Sequence, residues 1–239
     1  MSDLVDFAIN AHGGLDRFNK FDFLTARLKQ GGALWPLKGQ ATTLQEANVK
    51  IDLRKEWTSH WPFAPTTHHS VFTPELVRIE DEAGNVVEEL TNPRPTFEGF
   101  ELETPWSLPQ LGYFAGYAMW NYLTAPFLLT RPGVVSVEVD PWSEGGETWR
   151  RLRVEFPDTI ATHSRIQHYY FDDKGLLRRH DYEVEIQGNN SAAHYLTGPV
   201  VVDGITLYSN MRIVPNTPDN VPMSEPELVT IELSDYKFD

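Results

Sequence analysis

The chain has 239 residues, no cysteine and a formal net charge of −14. Without cysteine, disulfides, thiolate metal sites and a cysteine nucleophile are excluded. The acidic balance argues against nucleic acid and anionic membrane surfaces, since both require a positive footprint. One domain over residues 1–239 is expected, because all-β domains of this length are common. Seven Trp, nine Tyr and thirteen Phe supply the large rings that fill cores and line pockets. The N-terminal residues Met-Ser-Asp-Leu-Val-Asp-Phe-Ala place acids where a signal peptide needs Lys or Arg, so a cytoplasmic location is expected. No stretch reaches the ~20 apolar residues that span a bilayer as a helix.

A short helix is predicted over Ser2 to Ala11, capped by Ser2 and stopped by Gly13-Gly14, with Leu4, Val5, Ala8 and Ile9 as its apolar stripe. Strands follow at Leu24–Trp35, Thr42–Leu53, Lys55–Trp61 and His68–Phe72. Leu76–Asp81 and Val86–Leu90 flank a hairpin turn. Asn92 to Pro105 reads as a proline-rich acidic loop. Ser107 to Thr124 reads as the one substantial helix, with Ser107 as N-cap, Pro109 in the first turn and Pro126 as terminator. Its rings cover nearly every face, so it should be buried on most sides. Strands resume at Val134–Val139, Trp149–Phe156, Arg165–Phe171, Leu176–Ile186, His194–Val202, Ile205–Val214 and Leu228–Lys237. Asp203-Gly204 is a two-residue hairpin signal. The fold class is therefore mainly β: a large curved antiparallel sheet or incomplete β-barrel, with one short N-terminal helix and one central plugging helix.

The hairpin His168–His180 carries the chemistry that stands out. Asp172-Asp-Lys-Gly175 reads as its turn, with Gly175 in the left-handed conformation. Pairing Asp172 with Leu176 sets Tyr170 opposite Arg178, His168 opposite His180 and Ile166 opposite Tyr182. That register puts all six on one face, a mixture suited to a cavity wall with converging polar groups. The histidines suit hydrogen bonding or acid/base work, and Arg178 suits a carboxylate or enolate oxygen. A structural polar network is the plainer alternative. His194 joins His180 if the strands run as a meander. Tyr117 and Trp120 on the long helix are candidates for contacting an apolar body. His12 has a sufficient role at the helix terminus. No Gly-rich phosphate loop, dinucleotide fingerprint or nucleophile elbow occurs, so neither a cofactor nor a metal is expected.

The order of N-terminal helix, Gly-Gly, long strands, plugging helix and further hairpins resembles the LolA/LolB-like fold of the bacterial lipoprotein carriers and receptors of the Lol system. Ala11-His-Gly-Gly14, Ala33-Leu-Trp-Pro-Leu-Lys-Gly39 and Tyr113-Phe-Ala-Gly-Tyr-Ala-Met-Trp120 resemble segments of uncharacterised bacterial proteins. The resemblance covers most of the chain, implies an incomplete barrel around an apolar cavity and assigns no site residues.

The leading expectation is a protein that binds a hydrophobic or aromatic small molecule inside the curved sheet. His168, Tyr170, Arg178, His180, Tyr182 and His194 would meet its polar end, and Tyr117 and Trp120 its apolar body. The alternatives are a cofactor-independent enzyme (cyclase, isomerase or hydrolase) with a histidine as general base, and an interaction protein without a pocket.

Overall fold

A computed structural model describes residues 3–63 and 67–239. Thirteen strands form one antiparallel sheet. The first six are β1 (Phe23–Gly31), β2 (Glu46–Asp52), β3 (Thr58–Trp61), β4 (His69–Thr73), β5 (Leu76–Glu80) and β6 (Val86–Thr91). The remaining seven are β7 (Val135–Glu144), β8 (Glu147–Glu155), β9 (Ile166–Phe171), β10 (Leu177–Val184), β11 (Asn190–Val202), β12 (Ile205–Pro215) and β13 (Val229–Phe238). Their spatial order is β6-β5-β4-β3-β2-β1-β13-β12-β11-β10-β9-β8-β7. Two meanders therefore meet where the first and last strands pair. β6 and β7 remain edges, so the sheet does not close into a barrel.

The helices are α1 (Asp3–Ala11), α2 (Leu15–Phe18), α3 (Leu34–Leu37) and α4 (Leu108–Thr124). The expected Ser2 cap of α1 lies outside the described residues. Trp35, expected at the end of a strand, sits in α3 instead, where its indole N–H donates to the Gly31 carbonyl at 3.0 Å. The proline-rich segment also holds a 3-10 turn at Arg94–Phe97.

α4 begins in a capping box. The Ser107 hydroxyl accepts from the Gln110 amide at 3.3 Å, and the Gln110 side chain accepts from the Ser107 amide at 3.0 Å. Replacing Ser107 with alanine removes one of these bonds. It should lower stability by about 1 kcal/mol, read as a shift in the denaturant midpoint with an unchanged slope.

α4 lies against β2 to β6, and residues from Leu111 to Thr124 are buried around its whole circumference. This is why its sequence is apolar on every face. The sheet's inner face, which receives it, shows the period of two expected of a half-buried sheet: Leu24, Ala26 and Leu28 on β1 alternate with more exposed neighbours. No helix among the described residues is long and apolar enough to cross a membrane.

Candidate functional site

The hairpin turn forms as the sequence dictates. Gly175 has φ +81°, and the Asp172 amide donates to the Leu176 carbonyl at 3.0 Å. Beyond the turn the expected register does not hold. A bulge between Leu177 and Arg179 inserts Arg178 as an unpaired residue. Tyr170 then opposes Arg179, His180 opposes Tyr169, His168 opposes Asp181, and Tyr182 opposes Gln167. One extra residue exchanges faces, so His168 and Tyr170 lie on the opposite face of the sheet from His180 and Tyr182. The expected single face of six residues is not formed.

The outer-face residues have their own partners. Tyr170 donates to Asp181 at 2.6 Å, and Asp181 takes Arg179 in a two-pronged pair at 2.7 and 2.9 Å. Arg179 is fully buried and also bonds Glu144 at 2.6 Å and the Asn220 side chain at 2.6 Å. A buried guanidinium needs this full set of acceptors. The cluster fastens the β7–β8 hairpin and the Pro215–Glu227 segment to the back of the sheet. His168 stands between Arg151 and Arg153, and burial together with those cations lowers it to about 4. Arg178 faces Asp172 and Glu147 at the surface, so it supplies no cation to the interior.

The inner face carries a different cluster, built from three strands, α4 and a loop. His194 on β11 is the direct cross-strand partner of His180 on β10, as a meander requires. Their rings lie 5.8 Å apart. His180 meets the Gln167 carbonyl oxygen at 2.5 Å, and the Gln167 amide donates to Thr162 and the Ser164 carbonyl. The central member is His163, in the loop between β8 and β9. Its Nδ1 lies 3.1 Å from the Tyr117 hydroxyl and its Nε2 lies 2.8 Å from the Tyr122 hydroxyl. Tyr122 and Tyr182 hydroxyls are 2.6 Å apart, and the Tyr182 ring stacks on His163 at 3.9 Å. The sequence singled out Tyr117, Tyr182, His180 and His194 but not His163, because a loop histidine has no periodicity to mark it.

Burial decides the charge of this cluster. It holds His163 and His180 well below the ordinary imidazole value and brings His194 to about 3. It raises Tyr122 and Tyr117 well above the usual phenol range. Near neutral pH every member is uncharged. Neither ring nitrogen of His194 has a hydrogen-bond partner among the described residues, although the residue is only 1 % exposed.

His163, Tyr122 and Tyr182 line one end of a cavity of about 40 Å³ between α4 and the sheet. Most of the rest of its wall is apolar: Phe114, Ala115, Ala118 and Met119 from α4 face Ile213 and Ile231 from β12 and β13. Leu34 and Trp35 of α3 and Leu102 complete it, with Gln30, Gln187 and Asn190 as further uncharged polar groups. The segment carrying Leu102 is tied to α3 by Lys38, whose ammonium donates to the Glu101 and Thr104 carbonyls at 3.1 and 3.3 Å. Trp120 lies away from this wall, with its indole N–H on the Asp52 carbonyl at 2.8 Å and Arg131 over its ring.

No protein-family model matches the sequence, and no curated protein does. Solved structures match across nearly the whole chain. A DUF1329 family protein from Desulfovibrio piger is 11% identical with a TM-score of 0.56, covering 99% of this chain and 92% of the other. A domain described as an outer membrane lipoprotein-sorting protein, from Vibrio parahaemolyticus, is 8% identical with a TM-score of 0.57, covering 98% and 91%. A LolA superfamily protein from Nitrosomonas europaea is 7% identical with a TM-score of 0.55, covering 97% and 92%. An open antiparallel sheet wrapped around a central helix, matched end to end by these structures, gives the chain a LolA-like fold.

Proposed function

We propose that the protein binds a hydrophobic small molecule between α4 and the inner face of β10 to β13. The observation that carries this reading is the cavity: an apolar wall ended by an uncharged His–Tyr cluster, the division of labour found in ligand sites. Small side chains on the helix side, Ala115 and Ala118, leave the room there. The lipoprotein-sorting description of one fold neighbour agrees with a ligand of lipid character.

At about 40 Å³ the space is far below the ~300 Å³ of a formed ligand pocket. Binding therefore requires the cover to move. The mobile part in this reading is α3 with the segment around Leu102, joined by Lys38 so that the two swing together. Among the described residues no backbone ladder fixes the Leu102 segment to the sheet; its ties are side-chain bonds and single amide contacts such as Trp106 to the Lys38 carbonyl. α3 is held only at its start, where the Ala33 and Leu34 amides donate to the Glu227 and Leu228 carbonyls and form the pivot.

The test is titration with an uncharged apolar fluorophore, N-phenyl-naphthylamine, in wild type and in Ala118→Leu. The leucine fills the space between α4 and β12. Binding should weaken at least ~10-fold, the worth of two or so buried methylenes, while overpacking costs about 1–3 kcal/mol of stability. Equal fluorophore affinity in the two proteins would sink the reading, as would no binding to wild type.

A further inference from the structure

The bonds around His163 can be counted against the hydrogens available to make them. Three phenols, Tyr117, Tyr122 and Tyr182, and one neutral imidazole carry four donor hydrogens. Only three contacts join them: Tyr117 to Nδ1, Tyr122 to Nε2, and Tyr122 to Tyr182. One hydrogen is therefore always left over. If Nδ1 carries the proton, it donates to Tyr117, Tyr122 donates to Nε2, Tyr182 donates to Tyr122, and the Tyr117 hydrogen is stranded. If Nε2 carries it, the chain runs the other way. Tyr117 donates to Nδ1, Nε2 donates to Tyr122, Tyr122 donates to Tyr182, and the spare hydrogen belongs to Tyr182. Tyr117 is fully buried and does not line the cavity, whereas Tyr182 does. An acceptor in the cavity at Tyr182 satisfies every donor of the relay at once.

The charge of the lining restricts that acceptor. Among the described residues no Asp, Glu, Lys or Arg contributes to the cavity wall. Arg94, the cation that acts on His163, is engaged by Glu185 and by the Thr162 carbonyl, and Lys38 on the cover is spent on the Glu101 and Thr104 carbonyls. An ionised carboxylate placed there would lose its water without gaining a counter-charge, a cost beyond what one hydrogen bond returns.

We infer that the cavity selects ligands whose polar end is an uncharged hydrogen-bond acceptor, such as the carbonyl of an ester, ketone or tertiary amide, received by the Tyr182 hydroxyl. This rests on the proposed binding of a hydrophobic ligand and names the head group that the same site takes.

Displacement of N-phenyl-naphthylamine by four ligands of equal chain length tests it: dodecane, methyl laurate, laurate at mildly alkaline pH where it is ionised, and dodecylammonium. Methyl laurate should displace the fluorophore roughly 3- to 10-fold more tightly than dodecane, the return on one hydrogen bond to a neutral acceptor. Both charged ligands should be weaker than the ester. Tyr182→Phe should erase the ester's advantage and leave dodecane unchanged. Tyr117→Phe should keep it, because the relay can still run from Nε2 to Tyr182. Laurate or dodecylammonium equal to or tighter than the ester would overturn the inference while dodecane binding upholds the cavity. An ester advantage that survives Tyr182→Phe would overturn it as well. If no ligand displaces the fluorophore, the binding reading itself fails and the inference falls with it.

Discussion

Acidifying the protein from neutral pH should unfold it cooperatively between about pH 6 and pH 4, with net uptake of about five protons. His12, His60, His163, His180 and His194 are each at most 3 % exposed. Burial is the first cause in every case: it brings His12 to about 4, His60 and His194 to about 3, and His163 and His180 well down, and on the outer face it brings half-buried His168 to about 4 as well. In the unfolded chain each returns to about 6.5. Below that value the unfolded state holds protons that the folded state lacks, so stability is intact above pH 6.5 and falls as the pH drops toward the folded values. Glu56 works in the opposite sense. Burial raises it to about 8, so the folded state keeps a proton there that the unfolded chain releases above about 4.5, which offsets one of the six histidine protons. Each net proton contributes ~1.4 kcal/mol per pH unit, giving about 7 kcal/mol per unit in this window. A domain's whole stability is about 5–15 kcal/mol. Tryptophan fluorescence against pH, with potentiometric counting of protons on unfolding, measures both quantities. Native fluorescence persisting below pH 4 would show that these imidazoles are hydrated or charged in the folded state.

The seat of α4 gives the second large effect. At Gly116 a β-carbon would meet Phe72 of β4 at 2.3 Å from Cγ, 2.5 Å from Cβ and 2.8 Å from Cδ1. Phe72 has no room to yield: it is fully buried and its ring sits 5.7 Å from that of Tyr113. The Thr58 hydroxyl also holds the Gly116 carbonyl at 3.0 Å. Gly116→Ala should therefore cost about 3 kcal/mol, despite the ~1 kcal/mol that alanine adds in helix propensity. Gly112, one turn earlier, is the built-in comparison. Its β-carbon would meet only the tip of Val77, at 2.9 Å, with other neighbours at 3.7 Å and beyond. Gly112→Ala should stay within ~1 kcal/mol of wild type. For a chain of this size, each kcal/mol lowers the melting temperature by roughly 2–4 °C, so the variants should separate by several degrees. Equal melting temperatures would mean that α4 does not bear on β4 as described.

The strands and α4 were legible because their signals are local and repeated. Alternation on β1, the Ser107/Gln110 cap and the all-round apolar surface of α4 each point to one structure. The segment at Trp35 was not legible: Leu34-Trp-Pro-Leu37 has strand-like composition, and its short helix forms where the backbone turns off the end of β1. The site was legible as a set of residue types and not as a geometry. Nothing in Leu176-Leu-Arg-Arg179 states which arginine is bulged. The choice is made by Asp181, which shares a face with Arg179 and binds it from two residues away. That single bulge sends His168 and Tyr170 to the outer face and leaves His180 and Tyr182 inside. His163 enters the interior from a loop, held by hydroxyls on α4 forty or more residues earlier, so only the tertiary structure reveals it.

The most direct measurement on the central claim is a crystal structure of the wild-type protein grown with bromododecane, read by the anomalous signal of bromine. The expected result is a bromine peak inside the sheet, between Ala118 and Met119 of α4 and Ile213 and Ile231, with α3 and the Leu102 segment displaced to admit the chain. Bromine found only at surface positions, with the interior as narrow as about 40 Å³, would contradict the claim that this sheet encloses a ligand.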